Sequence, residues 1–186
     1  VPSGVRHLAC SRALIIGYGS IGQAIGDRLR AFGVEVVGVR RSPDADAAVI
    51  GTGEWRARLG EFDWIVLAAP GTDATRHMIG AGELAAMKRG ACIVNIARGA
   101  LIDQPALVEA LQSGQVGGAF LDPVTPEPLP ADDPLWTAPN TLITMHMAGA
   151  GHTKGYEAGI ERFLANLDRY LKGEPLHYVV DIARGY

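Results

Sequence analysis

Residues 13–39, ALIIGYGSIGQAIGDRLRAFGVEVVGV, set an apolar run, a glycine-rich turn, a helical stretch and a second apolar run in direct succession. Two strands joined through a helix lie parallel, because a crossover returns the chain to the same end of the sheet. The pattern continues in WIVLAA (64–69), CIVNI (92–96), VGGAFL (116–121) and TLITM (141–145), short runs edged by Gly, Pro or Asn that read as buried strands. Helices are predicted over 20–32, with Ile21, Ala24, Ile25, Leu29 and Phe32 on one stripe, and over 103–113, opened by Asp103 and stopped by Gly114. A last helix is predicted from about Thr153 to Lys172, ending at Gly173. Strands alternating with helices predict an α/β fold, a doubly wound parallel sheet with helices on both faces. Residues 122–140 hold six prolines, so this crossover is expected to be an ordered irregular loop.

With 186 residues, 48% of them hydrophobic, the chain can bury one sizeable core, and a single domain with a C-terminal helix and tail is expected over 1–186. A net charge of −3 argues against nucleic acid or a membrane surface as partner, since both demand broad basic patches. The apolar runs are too short to span a bilayer, and the first residues carry no leader pattern. Cys10 and Cys92 are not spaced as a metal pair, so no metal is expected, and a cytoplasmic setting fits so few thiols. The sequence begins with Val1 rather than Met, which suggests a fragment or a processed product.

Gly17, Gly19 and Gly22 have the G-x-G-x-x-G spacing, after a strand and at the start of a helix. That arrangement supplies a tight turn, a close backbone approach to a pyrophosphate around Ser20 and Ile21, and a helix N-terminus for its charge. It points to a Rossmann-like fold and a dinucleotide ligand, the alternative being a plain glycine-rich turn. Arg40 closes the second strand, where an NAD-preferring site usually has an acid that accepts from the ribose hydroxyls. Arg40, Arg41 and Ser42 can instead donate to the 2′-phosphate of NADP(H). At about 1.5–3 kcal/mol per charge-assisted bond, a preference of roughly ten- to a thousandfold follows, with NAD(H) still possible. The alternative is a solvated basic loop balanced by Asp44 and Asp46.

Arg98 follows CIVNI at the carboxyl end of a strand, where doubly wound folds bind ligands, and a guanidinium there can grip a carboxylate through two parallel bonds. His146 follows TLITM at another such end, and Glu127 lies in the proline loop. A carboxylate beside an imidazole fixes its tautomer and favours the protonated ring, a competent acid toward a carbonyl and, once deprotonated, a base toward an alcohol. Spacing alone does not bring the three together. His7, His77, His152 and His177 read as structural or exposed, and Trp136 as packing for the proline loop.

GYGSIG, APGTDATRHMIG, MKRGACIVNIARGALIDQPALVEAL, GGAFLDPVTPEPLPADDPLW and PNTLITMHMAG, in this order, resemble the successive signatures of the D-isomer-specific 2-hydroxyacid dehydrogenases over nearly the whole chain. The resemblance implies reversible hydride transfer between a nicotinamide cofactor and a small 2-oxo or D-2-hydroxy acid, with glyoxylate- or hydroxypyruvate-like substrates. It implies that Arg98 binds the substrate carboxylate and carbonyl, that His146 transfers the proton and that Glu127 supports it. Asp122 would lie near the nicotinamide. Ala69, Pro70 and Thr75, then Ile96 and Ala97, then Ala148 and Gly149 would line the cofactor. A homodimer built through the cofactor domains is also implied. There are departures: Met145 stands where a proline commonly precedes the histidine, LDPV replaces LDV, and the family's N-terminal substrate lobe has no counterpart here. The chain alone is therefore expected to bind nucleotide and to turn over poorly. The competing reading is a nucleotide-sensing binding protein, similar to the co-repressors that share this fold.

Overall fold

In the computed structural model, which describes residues 7–42, 48–149 and 153–182, successive residues of each strand turn to opposite faces and both faces carry core. In β1 (Arg12–Ile16), Ala13 and Ile15 enter one apolar cluster and Leu14 and Ile16 the other. The remaining strands are β2 (Glu35–Val39), β3 (Val49–Ile50), β4 (Trp64–Leu67), β5 (Ala91–Asn95), β6 (Val116–Leu121) and β7 (Thr141–Ile143). All seven are parallel, in the order β3-β2-β1-β4-β5-β6-β7. The strand order reverses between β1 and β4, and ligands of open parallel sheets bind at the carboxyl ends beside such a switch point. The two-residue β3 was not anticipated from the sequence, being too short to show a period.

The helix α1 (Ser20–Ala31) matches its expected span, but its contact face does not. Ile21 and Phe32, placed on the buried stripe from the sequence, are 63% and 65% exposed, while Ile25 and Leu29 are half-buried. The wholly buried residues of α1 are Gly22 and Gly26. The cause is Tyr18, whose ring fills the space between helix and sheet: a Cβ on Gly26 would stand 2.8 Å from its hydroxyl, and one on Gly38 2.3 Å from its ring. A short helix α2 (Ala81–Ala86), unread in the sequence, is closed by Gln115, whose side-chain amide donates to the carbonyls of Leu84, Ala85 and Met87.

The helix α3 (Gln104–Gln112) starts as read, with the Asp103 side chain accepting from the Ala106 N–H at 3.3 Å, and stops before Gly114 at φ 66°. The proline stretch is ordered and contains one 3-10 turn, Pro134–Thr137. Gln104 ties it to α3 through Asp133 at 3.1 Å and the Thr125 N–H at 3.3 Å, and the Trp136 indole donates to the Pro130 carbonyl at 2.8 Å. The chain divides into two compact units, Val1–His146 and Met147–Tyr186. The second carries α4 (Thr153–Leu171), followed by Gly173 at φ 71°. Among the described residues no helix is long and apolar enough to cross a membrane.

Candidate active site

Each glycine of the turn after β1 has a distinct physical reason to be there. Gly17 sits at φ 98°, and a Cβ on it would lie 2.3 Å from the Ala69 nitrogen, so the turn presses against the end of β4. A Cβ on Gly22 would lie 2.3 Å from the Gly17 carbonyl oxygen, which keeps α1 against the turn. At Gly19, the N-cap of α1, a Cβ would meet nothing within 4 Å. No side chain caps this helix and no acid stands in its first turn, while Ser20 and Ile21 are exposed. An open, uncapped helix N-terminus beside a backbone free of side chains fits the pyrophosphate of a dinucleotide.

Arg40 directly follows β2, with its N–H donating to the Ile50 carbonyl at 3.2 Å. Its side chain is half-buried, and Arg41 and Ser42 are exposed. Asp44 and Asp46, the proposed balance to these arginines, lie outside the described residues, as does His152. Ala69 is buried and Pro70 exposed at the end of β4, the neighbour of β1. The Thr75 hydroxyl, expected to line a cofactor, bonds to the Pro70 carbonyl at 2.7 Å and to the Thr72 N–H at 2.8 Å, so it locks the loop that carries Pro70.

Beyond β5, β6 and β7 the structure joins Glu127 and His146 directly, at 3.0 Å between Oε2 and Nδ1, with each side chain 42% exposed. Both are held by backbone: the other Glu127 oxygen accepts from the Val124 N–H at 3.2 Å, and the His146 N–H donates to the Asp122 carbonyl at 3.1 Å with His146 at φ 54°. Arg98 makes no direct contact with the pair but belongs to the same backbone frame. Asn95, fully buried, donates to the Arg98 carbonyl at 2.8 Å and accepts from the Ala97 N–H at 3.0 Å, while its own carbonyl takes the Asp122 N–H at 3.0 Å. Ile96 and Ala97 are half-buried in this turn, and the Arg98 side chain is exposed.

Asp122 is 2% exposed and accepts from the Thr144 hydroxyl at 2.5 Å, so it anchors the segment leading to His146 as well as sitting on the edge. Sequence reasoning missed Asn95 and Thr144. The signal for Asn95 was available: an amide at the end of an otherwise apolar buried strand must bond something. Ala148 and Gly149 belong to the second unit and are exposed there. His7 and His77 are exposed, and the His177 backbone exchanges two 2.9 Å bonds with the Asn166 side chain. Among the described residues no group of three His, Cys, Asp or Glu side chains is placed to hold a metal ion.

The family model for the D-isomer specific 2-hydroxyacid dehydrogenase NAD binding domain matches residues 3–148. A glyoxylate reductase of Korarchaeum cryptofilum is 37% identical over 164 residues, 86% of this chain and 49% of that protein. A glycerate dehydrogenase of Methylorubrum extorquens is 35% identical over 94% of this chain and 54% of its own length. Among solved structures, a D-isomer specific 2-hydroxyacid dehydrogenase of Xanthobacter autotrophicus in complex with NADPH superposes with a TM-score of 0.88 at 35% identity, covering 97% of this chain and 75% of that one. An NADPH-dependent glyoxylate/hydroxypyruvate reductase of Sinorhizobium meliloti, bound to NADP, gives a TM-score of 0.87 at 30% identity over 97% of this chain and 58% of that one. The chain thus spans about half the length of the curated relatives described.

Proposed function

The chain belongs to the D-isomer-specific 2-hydroxyacid dehydrogenases, as their NAD-binding domain, and from that premise we propose that it serves the NADPH-dependent reduction of a small 2-oxo acid to its D-2-hydroxy acid. The observation that carries this reading is the Glu127–His146 pair, 3.0 Å apart on the same strand edge as the glycine cradle and Arg98. With Nδ1 of His146 engaged by Glu127, Nε2 is the nitrogen left to face a substrate, and it delivers the proton to the carbonyl oxygen. Glu127 holds the ring in position for that transfer. Arg98 orients the substrate through its carboxylate and polarises the carbonyl. The bound cofactor supplies the hydride. Ala69, Pro70, Thr75, Ile96, Ala97 and Asp122 complete its walls in this reading.

Arg40, Arg41 and Ser42, which follow β2, are read as the donors to a 2′-phosphate and so favour NADP(H) over NAD(H), a reading supported by two structural neighbours that carry NADPH or NADP. Glyoxylate- and hydroxypyruvate-like acids are the substrate class, supported by the names of the relatives. A cytoplasmic homodimer completes the reading. Trp136, Leu142 and Met145 offer exposed apolar surface to a second copy, and the described cysteines form no disulfide. Sedimentation equilibrium checks the dimer.

The test is NADPH oxidation in the presence of glyoxylate or hydroxypyruvate, measured for this chain and for a form carrying the additional length of its relatives. Turnover in the longer form, poor turnover in this chain and loss of turnover in His146→Gln are expected. Tight NADPH binding without turnover of any 2-oxo acid in the longer form would instead favour the sensor reading.

A further inference from the structure

Gly71 lies one residue past Pro70, in the loop that leaves β4. A Cβ built on it would stand 2.8 Å from Arg98 Cγ and 3.2 Å from Arg98 Cβ. Its backbone is not in the left-handed region, so the conformation does not call for glycine. The neighbour does: the stem of Arg98 occupies the place of the missing side chain.

Neither backbone is placed to yield. The Gly71 loop is locked by the Thr75 hydroxyl on Pro70 and Thr72, at 2.7 and 2.8 Å. Further along, it is zipped to the segment after Arg98: the His77 N–H donates to the Ala100 carbonyl at 2.8 Å, Ile79 to Leu101 at 3.1 Å, and Asp103 back to Ile79 at 2.9 Å. The Arg98 backbone is pinned on one side by the Asn95 side chain at 2.8 Å. On its other side is Gly99, where a Cβ would lie 2.1 Å from the Val124 carbonyl oxygen. A new carbon at residue 71 therefore displaces the Arg98 side chain, and it does so at Cγ, near the root, where a small rotation carries the guanidinium far. That guanidinium now bonds to the Ala97 carbonyl at 2.6 Å, which sets its direction.

We propose that Gly71 is a positioning residue that seats Arg98 for the substrate carboxylate, so that any side chain at this place weakens carboxylate binding while the cofactor still binds. The inference rests on the reading of Arg98 given under the proposed function. Gly71 connects two roles: it lies between Pro70 and Thr75, assigned to the cofactor, and the place of its missing side chain is taken by the group assigned to the substrate.

The experiment is a calorimetric cycle on the form carrying the additional length of its relatives, with four proteins: wild type, Gly71→Ala, Arg98→Ala and the double variant. Each is titrated with NADPH and then, loaded, with oxalate, a redox-inert probe for a carboxylate beside a carbonyl. NADPH binding doubles as the check that a variant is folded, and Gly71→Ser serves as a second variant. The expected result is oxalate affinity lower by roughly ten- to a hundredfold in Gly71→Ala, with NADPH affinity unchanged and no further loss when the substitution is added to Arg98→Ala. Unchanged oxalate affinity in Gly71→Ala, or losses that multiply in the double variant, would overturn the proposal. If Arg98→Ala takes oxalate as well as wild type does, or the wild type takes none, the reading of Arg98 itself falls and the role of Gly71 with it.

Discussion

At the amino edge of the sheet, where β1, β2 and β4 begin, charged side chains hold one another. Arg12 pairs with Glu35 at 2.8 Å and Glu61 at 3.0 Å, Arg58 pairs with Glu61 at 2.9 Å, and Lys88 pairs with Asp63 at 2.7 Å. The guanidinium carbons of Arg12 and Arg58 lie 5.2 and 5.8 Å from the centre of the buried Phe62 ring. At the carboxyl edge Glu127 and His146 also pair with each other, but each group is anchored from behind by backbone: Arg98 bonds the Ala97 carbonyl, Glu127 the Val124 N–H, and His146 the Asp122 carbonyl. Among the described residues Arg98 makes no ion pair there. Charges closed on each other at one edge hold strands together; groups fixed from behind by backbone at the other keep outward atoms for a ligand. Stability and function should therefore separate by edge.

The largest effect tests the carboxyl edge. His146→Gln is expected to lower kcat by roughly a hundred- to ten-thousandfold in the form that turns over, with NADPH affinity and the urea midpoint unchanged. Loss of folding in this variant would break the separation. Next, Arg40→Ala should weaken NADPH by about ten- to a hundredfold and leave NADH alone, the difference shrinking with salt in calorimetric titrations. At the opposite edge, Asp63 accepts from both the Arg12 N–H at 3.0 Å and Lys88, so Asp63→Ala should cost about 1–3 kcal/mol in urea unfolding without touching NADPH affinity.

The smallest effect is a pH dependence. Hydrogen bonds from Arg58 chiefly, with Arg12 adding, lower the Glu61 carboxyl from 4.5 to about 2. Between those values the unfolded chain binds more protons than the folded one. The contribution is complete above the upper value and is lost as pH falls through the lower. Urea midpoints followed down through the carboxylate range should show this slope, and Glu61→Gln should flatten it.

Much of the carboxyl edge was legible because its signals are local. G-x-G-x-x-G, the Asp103 cap and the residues that end each strand declare themselves within a few positions, so strand ends 17, 98, 122 and 146 could be placed on one edge from the alternation alone. Most of the amino-edge network was not legible: apart from Arg58 and Glu61, three residues apart, its ion pairs join residues 23 to 49 apart, and charge spacing along the chain carries no sign of them. The α1 face was misread for a related reason. Its apolar stripe suggested contact through Ile21 and Phe32, while the contact is set by Tyr18 filling the gap left by Gly26 and Gly38, a relation between three elements. The tie from Asn95 to Arg98 fell between these cases, visible as a buried amide but not as to its partner.

Gly19→Val decides whether the open face of the turn after β1 holds a nicotinamide dinucleotide. Gly19 has β-region backbone angles, φ −86° and ψ −159°, and empty space where a Cβ would go, so valine fits the fold while filling the cradle. Gly22→Ala, with its Cβ 2.3 Å from a carbonyl oxygen, is the control that should unfold the turn. NADPH titration of wild type and Gly19→Val, beside their urea curves, is the measurement. Gly19→Val is expected to keep the urea midpoint and lose NADPH binding; a Gly19→Val chain that binds NADPH as the wild type does would overturn the dinucleotide reading of the turn.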